Sequence, residues 1–149
     1  MGWGILQPLL LVVLILLLVS AGIEDVRART IGNAKNAAIA LIAPVWWWAC
    51  GMPVWPDMAI QLTAALIVFG LFIGLFAMGW MGGGDVKLIG ALALWLPPGL
   101  IAWMLVAMSA IGGLLTIAML VDRRIARREG PVEVPYGVAI VCAAMLAIS

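Results

Sequence analysis

Long apolar runs follow one another along the whole chain, broken only by short polar or glycine-rich segments. Hydrocarbon offers no water to a backbone, so such runs fold as helices that pair their own N–H and C=O groups. Hydrophobic residues make up 66% of the 149 and charged residues only 10%, a balance that suits an integral membrane protein and no soluble domain. The expected fold is all-α: a polytopic membrane protein of about six transmembrane helices, in a single membrane-embedded domain over 1–149.

The runs place helices near 5–22, 36–50, 58–79, 86–96, 99–121 and from 135 onward. The first lacks a preceding Lys/Arg segment and is long for a signal peptide, so it is expected to be retained. The fourth is stopped by Pro97-Pro98 and is too short to cross ~30 Å of hydrocarbon unaided. Asn33 or Asn36 is expected to cap the second helix and Asp57 the third. Trp46, Trp47, Trp48 and Trp55 are expected to form an aromatic belt, with Trp80 at the opposite interface. The Gly70/Gly74 and Gly112/Gly113 pairs are expected to permit close helix packing.

With six spans the connecting segments alternate sides. The first polar loop carries Arg27, Arg29 and Lys35, the glycine loop Lys87, and the last loop Arg123, Arg124, Arg127 and Arg128. These three loops fall on one side and hold all 8 Lys and Arg. The positive-inside rule makes that side cytoplasmic and both termini non-cytoplasmic. Asp25 then lies just past the end of the first helix, on the same face as Asp85 at the start of the fourth. The four arginines are expected to anchor the topology at a solvated face, with membrane lipids as the second partner for them.

Several chemistries are excluded. The chain has no His, which removes Ser-His and Cys-His nucleophile pairs and His-type zinc sites. Cys50 and Cys142 stand alone in apolar runs and are expected to be small buried hydrophobes. No metal, no cofactor and no nucleic acid is expected.

The segment Met81-Gly82-Gly83-Gly84-Asp85-Val86-Lys87-Leu88 departs from every helical rule. Each Gly inside a helix costs about 1 kcal/mol relative to Ala, so Gly82, Gly83 and Gly84 are expected to form a backbone that another chain approaches closely. Asp and Lys beside hydrocarbon are costly and mark a functional site by default. Asp85 and Asp25 share a face. Two neighbouring carboxylates do not both ionise easily, so one keeps a proton while the other stays charged. Such a pair can activate a water and protonate a leaving amine, which is peptide hydrolysis without His, Ser or metal. The bland alternative is that Asp25 balances Arg27 and Arg29, and Asp85 balances Lys87, each as a helix cap. Two further alternatives are an ion- or proton-coupled transporter subunit, with the acids at a helix break, and a non-catalytic membrane scaffold of an assembly machine.

Gly82-Gly83-Gly84-Asp85, extended by Val86-Lys87-Leu88, resembles the Gly-x-Gly-Asp motif of the type IV prepilin peptidases, which are membrane aspartyl proteases. In that family the first catalytic Asp stands six residues before Ile-Pro-Asn. Here Asp25 stands six before Ile31-Gly32-Asn33, with Gly32 in place of the Pro. Val134-Pro135-Tyr136-Gly137 resembles the family segment that opens the last helix. The presenilin and signal-peptide-peptidase class shares the Gly-x-Gly-Asp motif but places its first Asp in a Tyr-Asp helix motif, absent here. The resemblance implies removal of the short basic leader of prepilin or pseudopilin proteins at the cytoplasmic face of a prokaryotic inner membrane. It implies Asp25 and Asp85 as catalytic residues, with Gly82, Gly83, Gly84, Lys87, Asn33 and Tyr136 in support. Larger members carry paired Cys-x-x-Cys motifs linked to N-methylation. This chain has none and resembles the short, peptidase-only form.

Overall fold

The computed structural model describes residues 3–127 and 129–149. Six helices account for nearly all of them: α1 (Trp3–Ala28), α2 (Asn33–Ala49), α3 (Ala59–Ala77), α4 (Gly83–Ala93), α5 (Pro98–Ala126) and α6 (Tyr136–Ile148). A short turn, Val54–Met58, leads into α3. No strand occurs among the described residues. Three segments are long and apolar enough to cross a membrane: Gly4–Ala28, Val54–Ala77 and Pro98–Ala126. α2, α4 and α6 are shorter, with 17, 11 and 13 residues. Their expected status as full spans therefore does not follow from length.

α4 is the centre of the bundle. It packs on α3, α2 and α6, while α6 lies against α5 and α1. Val86 and every residue from Leu88 to Ala93 are buried. A helix apolar on all sides belongs inside. Gly90 makes that packing possible, because a Cβ there would stand 2.5 Å from Cδ2 of Phe69. The long helices leave much apolar surface outside, including Leu16, Ile67 and Val106, which suits a lipid surround.

A helix that ends inside a membrane protein strands its last carbonyls. Here Pro97 and Pro98 follow α4 and carry no N–H, so the carbonyls of Ala93 and Leu94 lose their helical donors. Side chains replace them. Gln61, 5% exposed, donates Nε2 to Ala93 O at 2.7 Å and Leu96 O at 2.6 Å. Trp47 donates Nε1 to Leu94 O at 2.6 Å, and Trp95 Nε1 donates to Ile39 O at 2.8 Å. Trp46 stacks on Trp95 with ring centroids 5.5 Å apart. Trp46 and Trp47 thus serve the α4 end. Trp48 and Trp55 are exposed.

Other expectations are corrected at the helix ends. α1 continues through Asp25 to Ala28, because nothing between Gly22 and Ala28 breaks it; Arg29, at φ 55°, ends it. α2 begins at Asn33 with Gly32 as its cap residue and no side-chain cap. Asp57 is exposed and makes no cap bond to α3. Gly70, Gly74 and Gly113 have open space where a Cβ would go, so they mediate no close packing within the chain, whereas Gly112 meets the Tyr136 ring at 2.7 Å. Cys50 and Cys142 are free and exposed, since both face out of the bundle. α5 extends through Asp122, Arg123 and Arg124, and Arg128 lies outside the described residues.

Candidate active site

Five helix ends gather at one end of the bundle. The close of α1, the start of α2, the close of α3, the start of α4 and the start of α6 line one open cavity of about 880 Å³. Asp25, Asn33, Leu75, Gly82, Gly83, Gly84, Asp85 and Tyr136 all contribute to its wall. Residues 60 positions apart in sequence, Asp25 and Asp85, thus share one chamber.

Asp25 sits in the last turn of α1 and is buried at 5% exposure. Its Oδ2 accepts the backbone N–H of Val138 at 3.2 Å, and the Gly137 backbone lies beside the carboxylate. The backbone then turns sharply at Arg29, whose N–H donates to Asp25 O at 2.9 Å. The Arg29 guanidinium donates to Glu133 O and ties the end of α1 to the segment before α6.

The glycine segment is a helix start. Gly82 is the extended cap residue of α4, and Gly83 and Gly84 occupy its first turn. The crowding they relieve is internal. A Cβ on Gly84 would lie 3.3 Å from the backbone N of Ile31, and one on Gly83 would lie 3.3 Å from Cε2 of Phe76. These two glycines let the 29–32 segment and α3 close on α4, and Gly82, Gly83 and Gly84 all line the cavity. Asn36 donates Nδ2 to Gly84 O at 3.2 Å and pins the turn to α2.

Asp85 follows, half-buried on the cavity wall. It lies outside the three long apolar segments. Burial first, and the charge of Asp25 second, push its carboxyl up to about 6. Neither acid is paired with a base. The ion pair among the described residues is Lys35–Glu24 at 2.5 Å. Lys87 donates to Asn33 Oδ1 at 2.8 Å and lines a separate groove, not the cavity of the two acids. The local balancing of Asp85 by Lys87 is therefore not what the side chains do.

Three wall residues were not anticipated by sequence: Arg29, Glu133 and Trp80. Trp80 belongs to the cavity and not solely to an interface. Glu133 stands one residue before the Val134-Pro135-Tyr136-Gly137 segment, the only signal that pointed near it. Among the described residues no three His, Cys, Asp or Glu side chains are grouped to hold a metal ion.

The family model described as the type IV leader peptidase family matches residues 12–117. The chain belongs to that family. The matched span includes Asp25, Asn33 and the whole Gly82–Lys87 segment; Glu133, Tyr136 and Gly137 lie beyond it. No curated protein and no solved structure matches the chain. A leader peptidase must bring water and an acid–base pair to a peptide bond, and the shared cavity holds two carboxylates suited to that work.

Proposed function

We propose that this leader peptidase is a membrane aspartyl endopeptidase that removes the basic leader of prepilin or pseudopilin proteins at the cytoplasmic face of a prokaryotic inner membrane. The observation that carries the reading is the meeting of Asp25 and Asp85 in one cavity, within the family match. A cavity open at a bundle end, beside faces of exposed apolar residues, suits a substrate with a polar leader and an apolar helix. Arg29 on the cavity wall, and Arg123 in the adjoining groove that Arg29 and Glu133 also line, support a cytoplasmic orientation by the positive-inside rule, with both termini outside.

In the proposed reaction one Asp is charged and the other protonated. The carboxylate takes a proton from water as the water oxygen attacks the scissile carbonyl carbon. The carboxylic acid gives its proton to the carbonyl oxygen. The tetrahedral diol then collapses: the C–N bond breaks, the leaving nitrogen takes the first proton, and a hydroxyl proton returns to the second Asp. Asn33 and Tyr136 on the wall support the bound backbone. N-methylation of the product is not expected, because Cys50 and Cys142 form no Cys-x-x-Cys pair.

The test is cleavage of a co-expressed prepilin by wild type, Asp25→Asn and Asp85→Asn at matched membrane levels. Asn keeps the shape but carries no acidic proton. Loss of leader removal in both variants supports the dyad. Near-normal trimming by either one removes that Asp from the chemistry and ends the aspartyl reading.

A further inference from the structure

The start of α6 is built against Asp25, and the protease chemistry alone does not account for it. A Cβ on Gly137 would stand 2.7 Å from both Cγ and Oδ2 of Asp25, and 2.9 Å from Cδ1 of Ile31. No side chain fits there unless the carboxylate moves. Because residue 137 is Gly, Asp25 Oδ2 reaches the amides of Gly137 and Val138 in the first turn of α6. The Val138 N–H is shared between Asp25 Oδ2 at 3.2 Å and Pro135 O at 3.1 Å, and amides of a first turn carry the positive end of the helix dipole. The other side of the same turn is fixed as well. Gly112 of α5 leaves room for the Tyr136 ring, whose Cε1 would lie 2.7 Å from a Cβ at 112.

We propose that Gly137 and the first-turn amides of α6 are a positioning clamp that holds Asp25 as the charged, water-activating member of the pair, leaving the proton on Asp85. The inference rests on the aspartyl reading above and assigns the roles within it. Asp25 is buried, but it accepts the Val138 N–H with the Gly137 backbone beside it, and such donors favour its anion. Among the described residues Asp85 accepts no hydrogen bond from another element. The other charged or titratable groups on the cavity wall are Arg29 after α1, Glu133 before α6, and Tyr136. The water proton therefore goes to Asp25 and later to the leaving nitrogen. The carbonyl oxygen takes its proton from Asp85, and that proton is restored on collapse.

The test measures leader cleavage against pH with the full-length protein in vesicles, for wild type, Gly137→Ala, the double variant Ile31→Ala/Gly137→Ala, Val138→Pro and the open-space control Gly70→Ala. Gly137→Ala should lose about tenfold or more in kcat with KM within about twofold, the range set by losing one acid–base contribution. Its acid limb, where the water-activating Asp takes up its proton, should move up by about one pH unit. Val138→Pro removes the donor and sets its ring Cδ where the N–H pointed at Oδ2, and should move the same limb the same way. Removing the Ile31 side chain relieves that clash alone and should not restore the rate. Restoration by Ile31→Ala, or an unmoved acid limb in Val138→Pro, overturns the clamp. If Gly137→Ala fails to fold, the Val138→Pro limb decides. Asp25→Asn run alongside separates the two layers: activity in Asp25→Asn refutes the protease reading, while an inactive Asp25→Asn with an unmoved limb refutes only the clamp.

Discussion

Replacing Gln61 with Leu should destabilise the bundle without touching the cavity of the two acids. Gln61 is buried at 5% exposure and its Nε2 serves Ala93 O at 2.7 Å and Leu96 O at 2.6 Å. Leu fills similar volume, so the cavity contribution is small and the polar loss is isolated. Pro97 and Pro98 supply no N–H to the end of α4, so the Ala93 carbonyl has no helical donor to fall back on. A neutral hydrogen bond contributes about 1 kcal/mol, and a buried group left unpaired costs about 1–3 kcal/mol. Side-chain bonds inside membrane bundles average about 0.6 kcal/mol. Two bonds lost together therefore set an expected range of about 1–3 kcal/mol. Equilibrium unfolding in mixed micelles, followed by tryptophan fluorescence, reads this directly. Cleavage per folded molecule should stay near wild type, since Gln61 does not line the cavity of the two acids. A loss below about 0.5 kcal/mol, within ordinary surface-substitution scatter, would refute the idea that side-chain donors hold the α4 end.

Gly90→Ala should destabilise strongly, because the new Cβ falls 2.5 Å from the Phe69 ring; adding Phe69→Ala should recover much of that loss in the same unfolding assay. Asp85 is held near 6 in the fold against a usual 3.8, so the folded state binds its proton more tightly than the unfolded chain. Stability from that proton is fully present below pH 3.8 and fades as pH rises through about 6. Asp85→Asn should accordingly raise the melting temperature relative to wild type at pH 7–8, with the difference shrinking to nothing near pH 3; an equal shift at both pH values would refute the burial of this acid. Asp57→Ala should leave stability within about 0.5 kcal/mol, as the side chain is exposed and caps nothing; a loss above 1 kcal/mol by the same assay would show a cap.

Helical class and membrane character were legible in the chain alone, and Asp25 and Asp85, which the charge pattern put on one face, line one cavity. Apolar runs and charge placement are additive along a sequence, so windows of about twenty residues carry them. The family resemblance pointed to the same two acids. The helix ends were less legible. Gly83 and Gly84 became the first turn of α4 because propensity is a weak prior that close contact with Ile31 and Phe76 overrides. Asn36 was expected to cap α2 and instead ties Gly84 to it. Lys87 was expected beside Asp85 and bonds Asn33.

By itself the sequence determined that this protein is helical, belongs in a membrane, and keeps its acids and bases in a few short segments. Each of those properties follows from the solvation of residues one at a time. Only the tertiary structure decided which groups meet: Asp25 on the amides of α6, Gln61 and Trp47 at the proline-terminated end of α4, Glu133 on the cavity wall. Those partners are 32 to 113 positions apart, and most neighbours of a buried polar group are chosen by the packing of helices and not by the local chain. A side chain's usual role as cap, belt or ion-pair partner is a local preference of about 1 kcal/mol, and burial of a whole helix face outweighs it.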